Sequence, residues 1–157
     1  MTGKWKINGS CVTEAVKAQI AKSAQVCDQG SASVTDVDVA GSATFDQQSV
    51  IYDGSITVGI SSTFPLSCAG GKTCDQTREA LAKTAGFSDV ACSTMSTSCS
   101  CSYRQTIPLK RQSSYVASGS TITETDPSDG TKDTEQYCVS GNTLRIKSEE
   151  SIDVYTR

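Results

Sequence analysis

Eight cysteines constrain this chain more than any other feature. They are Cys11, Cys27, Cys68, Cys74, Cys92, Cys99, Cys101 and Cys138, an even number spread over most of the 157 residues. A dispersed, even set reads as a disulfide framework, in which each bridge contributes about 2–4 kcal/mol, chiefly by restricting the unfolded chain. Such frameworks persist in oxidising compartments, so the expected location is the periplasm, the cell surface or the extracellular space. The chain needs that support. Apolar residues make up 36% and aromatics 6%, while Ser and Thr together number 43. A domain of this length buries roughly 70% of the surface its unfolded chain exposes, and here little of that surface is apolar. Residues 1–157 are read as a single β domain.

Cysteine spacing also limits the chemistry. Cys99 and Cys101 fall on one face of a strand, with Cα atoms roughly 6–7 Å apart by strand rise. That span strains a disulfide, so the two are expected to pair with different partners. No C-x₂₋₄-C spacing of a structural zinc site occurs, and no metal is expected. The absence of histidine removes the commonest general base together with Ser-His-Asp and Cys-His arrangements. Of the carboxylates, Glu149 and Glu150 are adjacent and would face opposite sides of a strand, and Asp36 and Asp38 fall on a wet face. The chain is read as a non-enzyme with no cofactor. The loop from Asp126 to Glu135 gathers Asp126, Asp129, Asp133 and Glu135 around Gly130, but Pro127 interrupts the alternating ligands of a calcium loop, so it reads as a solvated turn.

No stretch of 18 apolar residues occurs, so no transmembrane segment is expected. The cysteines imply export, and Met1 is read as standing in place of a removed export signal, which leaves room for a lost lipid anchor. A net charge of −3 and the lack of a Lys/Arg run argue against nucleic acid as a partner. Asn8-Gly9-Ser10 is a glycosylation sequon, and more simply an Asn-Gly turn or bulge.

Periodicity gives a mostly β chain. A strand from Lys4 to about Val12 places Trp5 and Ile7 on one face. A helix near 13–26 follows, with Val12, Val16, Ile20 and Cys27 near one stripe. Val37, Val39, Ala43 and Phe45 then alternate with Asp36, Asp38, Thr44 and Asp46. Val50 and Tyr52 lead to Asp53-Gly54, the strongest hairpin signal in the chain, and Ile56, Val58, Ile60 and Phe64 continue the alternation to Pro65. A second helix near 74–85 is marked by Thr73 and Gln76 at capping-box spacing and by Gly86 as C-cap. Cys99, Cys101, Tyr103, Ile107 and Leu109 share a parity, and short turns at 118–120 and 140–142 separate the last strands. The fold expected is an antiparallel meander of about eight or nine strands with two short helices, stapled by disulfides. Closure on itself would remove its edges.

Gly3-Lys4-Trp5 on the first strand resembles the G-x-W signature of lipocalin-like barrels. The hairpin from Tyr137 to Leu144 is similar to the closing segment of cysteine-rich, lipocalin-like bacterial lipoproteins. The resemblance touches mainly the two ends of the chain. It implies a closed eight-stranded barrel in which Gly3 and Trp5 sit at the closed end under a late arginine. Arg145 is favoured over Arg157 because it lies on a strand. If the first and a late strand are neighbours in such a barrel, Cys11 and Cys138 come near each other. Thr125-Asp126 is followed by Pro127 where the family has Thr-Asp-Tyr, no helix follows the last strand, and the 74–85 helix interrupts the meander.

The function implied is a secreted or envelope-associated lipocalin-like module binding a small apolar or amphipathic molecule. Val37, Val39, Phe45, Ile56, Val58, Ile60, Tyr103, Ile107 and Leu109 would line its cavity. The alternative is a structural or protein–protein interaction protein, an envelope component or a protease inhibitor, whose core is filled and whose contacts come from the 126–133 loop or the 66–73 segment.

Overall fold

The structure, a computed structural model, describes residues 1–12, 14–149 and 151–157, with the side chains of 9–12, 15 and 16 outside that description. Nine strands form one antiparallel sheet: β1 (Gly3–Val12), β2 (Ser31–Phe45), β3 (Ser49–Pro65), β4 (Phe87–Met95), β5 (Ser98–Ser118), β6 (Thr121–Thr125), β7 (Lys132–Ser140), β8 (Thr143–Lys147) and β9 (Ser151–Thr156). Their order is β3-β2-β1-β9-β8-β7-β6-β5-β4, and β3 also pairs with β5. Eight strands thus form a ring of hydrogen-bonded neighbours, to which β4 is attached through β5. The helices are α1 (Glu14–Ser23) and α2 (Cys74–Ala82).

The chain divides into two compact units, one of residues 1–13, 38–56 and 108–157, the other of residues 14–37 and 57–107. In the first unit, strict alternation builds the core. Trp5 and Ile7 of β1, Ala43 and Phe45 of β2, Ile122 of β6, Leu144 and Ile146 of β8 and Tyr155 of β9 are all buried together. The register explains the grouping: Trp5 lies opposite Ala43, Ile7 opposite Tyr155, Tyr155 opposite Leu144, and Ile146 opposite Tyr137. A one-residue slip in any strand would turn this set to water.

Asp53-Gly54 is not a turn. β3 runs through both residues, and the reversal lies earlier, at Asp46. Its carboxylate accepts from the backbone N–H of Gln48 and Ser49 and from the Ser49 hydroxyl. These bonds, the Gln48 N–H first, hold the Asp46 carboxyl below its ordinary value. Gly54 serves instead as a point of close backbone approach. A Cβ there would lie 2.2 Å from the Ala40 carbonyl oxygen, and Gly41 opposite has φ +141°. An Asp-Gly pair can mark such an irregularity as well as a turn, and only pairing distinguishes them.

The second unit is tied by covalent bonds. Cys27 joins Cys68, Cys74 joins Cys99, and Cys92 joins Cys101. Cys99 and Cys101 therefore take different partners, as their spacing predicts. Cys92 lies directly opposite Cys101 in the β4–β5 ladder, while Cys74 is the first residue of α2 and pins that helix to the sheet. Thr73 and Gln76 form the expected reciprocal capping box. The helix ends at Ala82 rather than at 85, and Gly86, at φ +85°, passes close to the Thr106 carbonyl. α1 is likewise shorter than the expected 13–26 span, and Thr13 lies outside the described residues. Among the described residues, no helix is long and apolar enough to cross a membrane.

Among the described residues one cysteine is left without a bridge. Cys138 is exposed and has no disulfide partner, and the Cys11 side chain lies outside the described residues. The backbone register nevertheless excludes the expected approach of these two. Cys11 stands opposite Ile152, Ile152 opposite Lys147, and Lys147 opposite Gln136. The first strand does neighbour a late one, but that strand is β9. Cys138 is three strands from Cys11, about 14 Å or more by strand spacing, against the roughly 4.4–6.8 Å that a disulfide spans.

Candidate functional site

The buried face of the first unit carries ionisable groups among its apolar side chains. Glu124, only 3% exposed, shares strand parity with Ile122 on β6. Its Oε1 accepts from the Tyr52 hydroxyl at 2.5 Å, and its Oε2 accepts from the Arg111 guanidinium at 3.1 Å. Arg111 also donates from Nε to the Ser113 hydroxyl at 2.9 Å and lies 4.0 Å from the Asp133 carboxylate. Burial of a carboxyl favours its neutral form. Desolvation accordingly raises the Glu124 pKa, although the Tyr52 hydrogen bond and the Arg111 charge pull the other way.

Glu135 occupies the neighbouring position, directly opposite Ile122 on β7. Its carboxyl is pushed up to about 7, first by burial and then by the charges of Glu124, Asp153 and Asp133. Tyr52 and Tyr155 are held well above the ordinary phenol range, mainly by burial. One guanidinium thus stands against the Glu124 and Asp133 carboxylates on a half-apolar face. A carboxyl neutral near pH 7 beside an arginine-paired one is a common setting for acid–base chemistry. Here the polar groups are turned on one another: no buried side-chain nitrogen or oxygen among the described residues lacks a partner.

These residues were legible only as parity. Glu124 falls in step with Ile122, Glu135 with Tyr137, Arg111 with Leu109 and Tyr52 with Val50. A reading that assigns charge to the wet face overlooks them.

The second feature is the Trp5 end. Trp5 is 1% exposed, and its indole Nε1 donates to the Met1 carbonyl at 3.1 Å. The arginine that covers it is Arg157, with its guanidinium carbon 4.3 Å from the ring centroid, and not the favoured Arg145. The reason is strand alternation. Arg145 lies between buried Leu144 and Ile146 and points to solvent, whereas Arg157 leaves the end of β9 and donates to the Thr2 carbonyl. Gly3 suits its backbone, whose φ is +115°, while a Cβ there would make only ordinary contact with the Arg157 guanidinium at 3.5 Å.

The nine residues expected to line a cavity are divided between the two units. Phe45 is buried in the first-unit core, with Val39 and Leu109 packed against it. Val58, Ile60 and Tyr103 are buried in the second unit, where Tyr103 stacks on Phe87 at 5.0 Å between ring centroids. Val37 and Ile56 are partly buried, and Ile107 is 46% exposed, which corrects its assignment to a lining. Near Ile107, Thr57 and Thr106 share a hydroxyl contact of 3.1 Å, a polar environment that alternation alone does not disclose.

The loop that precedes β7 is bound to itself. Asp126 accepts from the Ser128 hydroxyl and N–H, and Asp129 accepts from the Thr131 N–H. Hydrogen bonds from Ser128, its side chain first, keep the Asp126 carboxyl below its ordinary value. The 66–73 segment begins as a single 3-10 turn, Leu66–Ala69. It is anchored by Cys68 and by a backbone bond from Leu66 N–H to the Thr97 carbonyl. Comparison with protein-family models, with curated proteins and with solved structures finds no match to this chain.

Proposed function

We propose that this chain is a secreted or envelope-associated interaction module that works through its surface, with a filled core and no ligand inside. The observation that carries this reading is the occupancy of the first unit's buried face. Trp5, Phe45, Tyr52, Tyr155 and the Glu124–Arg111 pair pack there, and no buried side-chain nitrogen or oxygen among the described residues lacks a partner. A lipocalin-like carrier of a small apolar molecule needs a lined cavity of about 300 Å³ or more. The space of about 460 Å³ found in this unit is open to solvent on the exposed face, outside the packed core, and is bordered by Lys4, Lys6 and Arg157. Three disulfides fit the oxidising compartment that this reading assumes, and the two at Cys68 and Cys74 hold the 66–73 segment at low entropic cost for contact with a partner.

The test is titration with a fluorescent fatty acid while Trp5 emission is followed. A filled core gives no saturable quenching of Trp5. Stoichiometric, saturable quenching sinks this reading and restores the small-molecule carrier.

A further inference from the structure

The sheet of the first unit sorts charge by face. On β6 to β9 the carboxylates Glu124, Asp133, Glu135 and Asp153 all occupy positions in register with buried residues or with one another: Glu135 faces Ile122, Asp133 faces Glu124, and Asp153 faces Ile146. The cations of β1 and β8 take the opposite parity, whereas Arg111 of β5 belongs to the buried face. Lys4 and Lys6 flank buried Trp5, Arg145 lies between buried Leu144 and Ile146, and Lys147 follows, all four exposed. Among the described residues none of the four makes an ion pair. Between them the exposed face holds small or uncharged side chains, chiefly Thr143, Val154, Thr156 and Ile152, and no aromatic one. Lys6 pairs with Thr156 and Thr156 with Thr143, while Arg145 pairs with Val154 and Lys147 with Ile152. Strand spacing and rise then put Lys6 and Arg145 about 12 Å apart and Lys4 and Lys147 about 22 Å apart. At one end the face sinks into the open depression of about 460 Å³, where Lys4, Lys6 and Arg157 meet the Ser42 and Thr156 positions. Glu149, exposed beyond Lys147, bounds the other end.

We propose that this face, β1-β9-β8, docks on an anionic phospholipid bilayer, with a headgroup phosphate seated in the depression among Lys4, Lys6 and Arg157. Charge complementarity selects the occupant. The chain is acidic overall, at −3, yet this face gathers cations without counter-charges. A protein partner would call for a desolvated aromatic or aliphatic anchor at the centre, and single-stranded nucleic acid for aromatic stacking platforms. The face has no aromatic side chain, and its aliphatic ones, Val154 and Ile152, lie in register with Arg145 and Lys147. A planar array of headgroups asks only for exposed positive charge, to which each Lys or Arg adds about five-fold in affinity. The cluster is invisible as a sequence run because its members come from three strands. The inference is independent of whether the buried face is filled.

The experiment is flotation with vesicles of phosphatidylcholine alone and of phosphatidylcholine with about 30% phosphatidylglycerol, at low and at raised salt. The native protein is expected to float with the anionic vesicles only, and to be released by salt. The triple variant K4E/K6E/R145E should bind at least about 100-fold more weakly, while K22E/K72E, which alters cations of the second unit, binds as the native protein does. Trp5 emission monitors folding of each variant, and the milder K4Q/K6Q serves if the triple variant does not fold. The proposal is overturned by any of three results: no flotation with anionic vesicles, equal flotation with both kinds, or equal loss in K22E/K72E. Retention on a sulfated polysaccharide without vesicle binding also overturns it, in favour of a glycan partner.

Discussion

The two units of this protein solve the same shortage of apolar residues by different means. In the first, buried side chains from strands far apart in sequence form a core around Trp5, Phe45 and Ile122, and no disulfide joins its described residues. In the second, the fully buried set includes Val58, Ile60 and Phe64 beside Cys74, Cys99 and Cys101, and three bridges close segments of 41, 25 and 9 residues. On the chain-entropy account such closures contribute about 4, 3.5 and 2.5 kcal/mol, each taken alone. One unit is held by what it buries and the other by what its unfolded chain is forbidden to do.

Reduction is therefore expected to have the largest effect, and to have it unequally. Full reduction and capping of the thiols should remove amide hydrogen-exchange protection from β4 and α2, a loss of several kcal/mol at the rate of about 2–4 per bridge. Trp5, which sits in the first unit, should keep a blue-shifted emission that acrylamide quenches poorly. Simultaneous collapse of both signals would break the comparison, because it would mean that the bridges support the two cores equally.

The reciprocal experiment removes the core and leaves the bridges. Trp5→Ala is expected to cost about 3–5 kcal/mol through the cavity it opens. Arg157→Ala should cost about 0.5–2 kcal/mol, the range of a cation–π contact, and Arg145→Ala less than about 0.5 kcal/mol, as an exposed surface change. Chemical denaturation of the three variants provides the ranking. A greater loss from Arg145 than from Arg157 would contradict the observed cover of the indole.

How much of this was legible in the sequence follows from the same division. Local signals were reliable. The capping box at Thr73 and Gln76, the stop at Pro65, the turn at 118–120 and the separate pairing of Cys99 and Cys101 are decided within a few residues. What the sequence left open depends on pairing between distant strands. Asp53-Gly54 carries a turn signature, yet close approach to Ala40 and Gly41 makes it an irregularity within β3. Arg145 is the better-placed arginine by its position on a strand, yet alternation against Leu144 and Ile146 turns it outward. Cys11 and Cys138 belong to strands that closure of the ring does not bring together. Polarity misled most at Glu124 and Glu135, where membership of a buried face outweighed charge.

That buried acidity supplies the smallest effect, and it sharpens the comparison because it concerns the first unit only. The Glu135 carboxyl is raised from an ordinary 4.5 to about 7, by burial first and by Glu124, Asp153 and Asp133 after it. Between those two values the folded chain keeps a proton that the unfolded chain has released. Stability must then fall as pH rises through this window, being full below about 4.5 and lost above about 7. The direction is opposite to that of a salt-bridged carboxylate such as one whose pKa is depressed. Glu135 is only half-buried, so solvent screening reduces the size to about 1–2 kcal/mol. Denaturation midpoints measured at about pH 4.5 and about pH 8 should differ by that amount in the native protein. Glu135→Gln, which cannot ionise, should flatten the difference, whereas Glu149→Gln, on an exposed turn, should leave it in place. Stability that rises across the window would mean that Arg111, and not the neighbouring carboxylates, dominates the field at Glu135. In the second unit, whose bridges carry no titrating group, amide protection should not follow this slope.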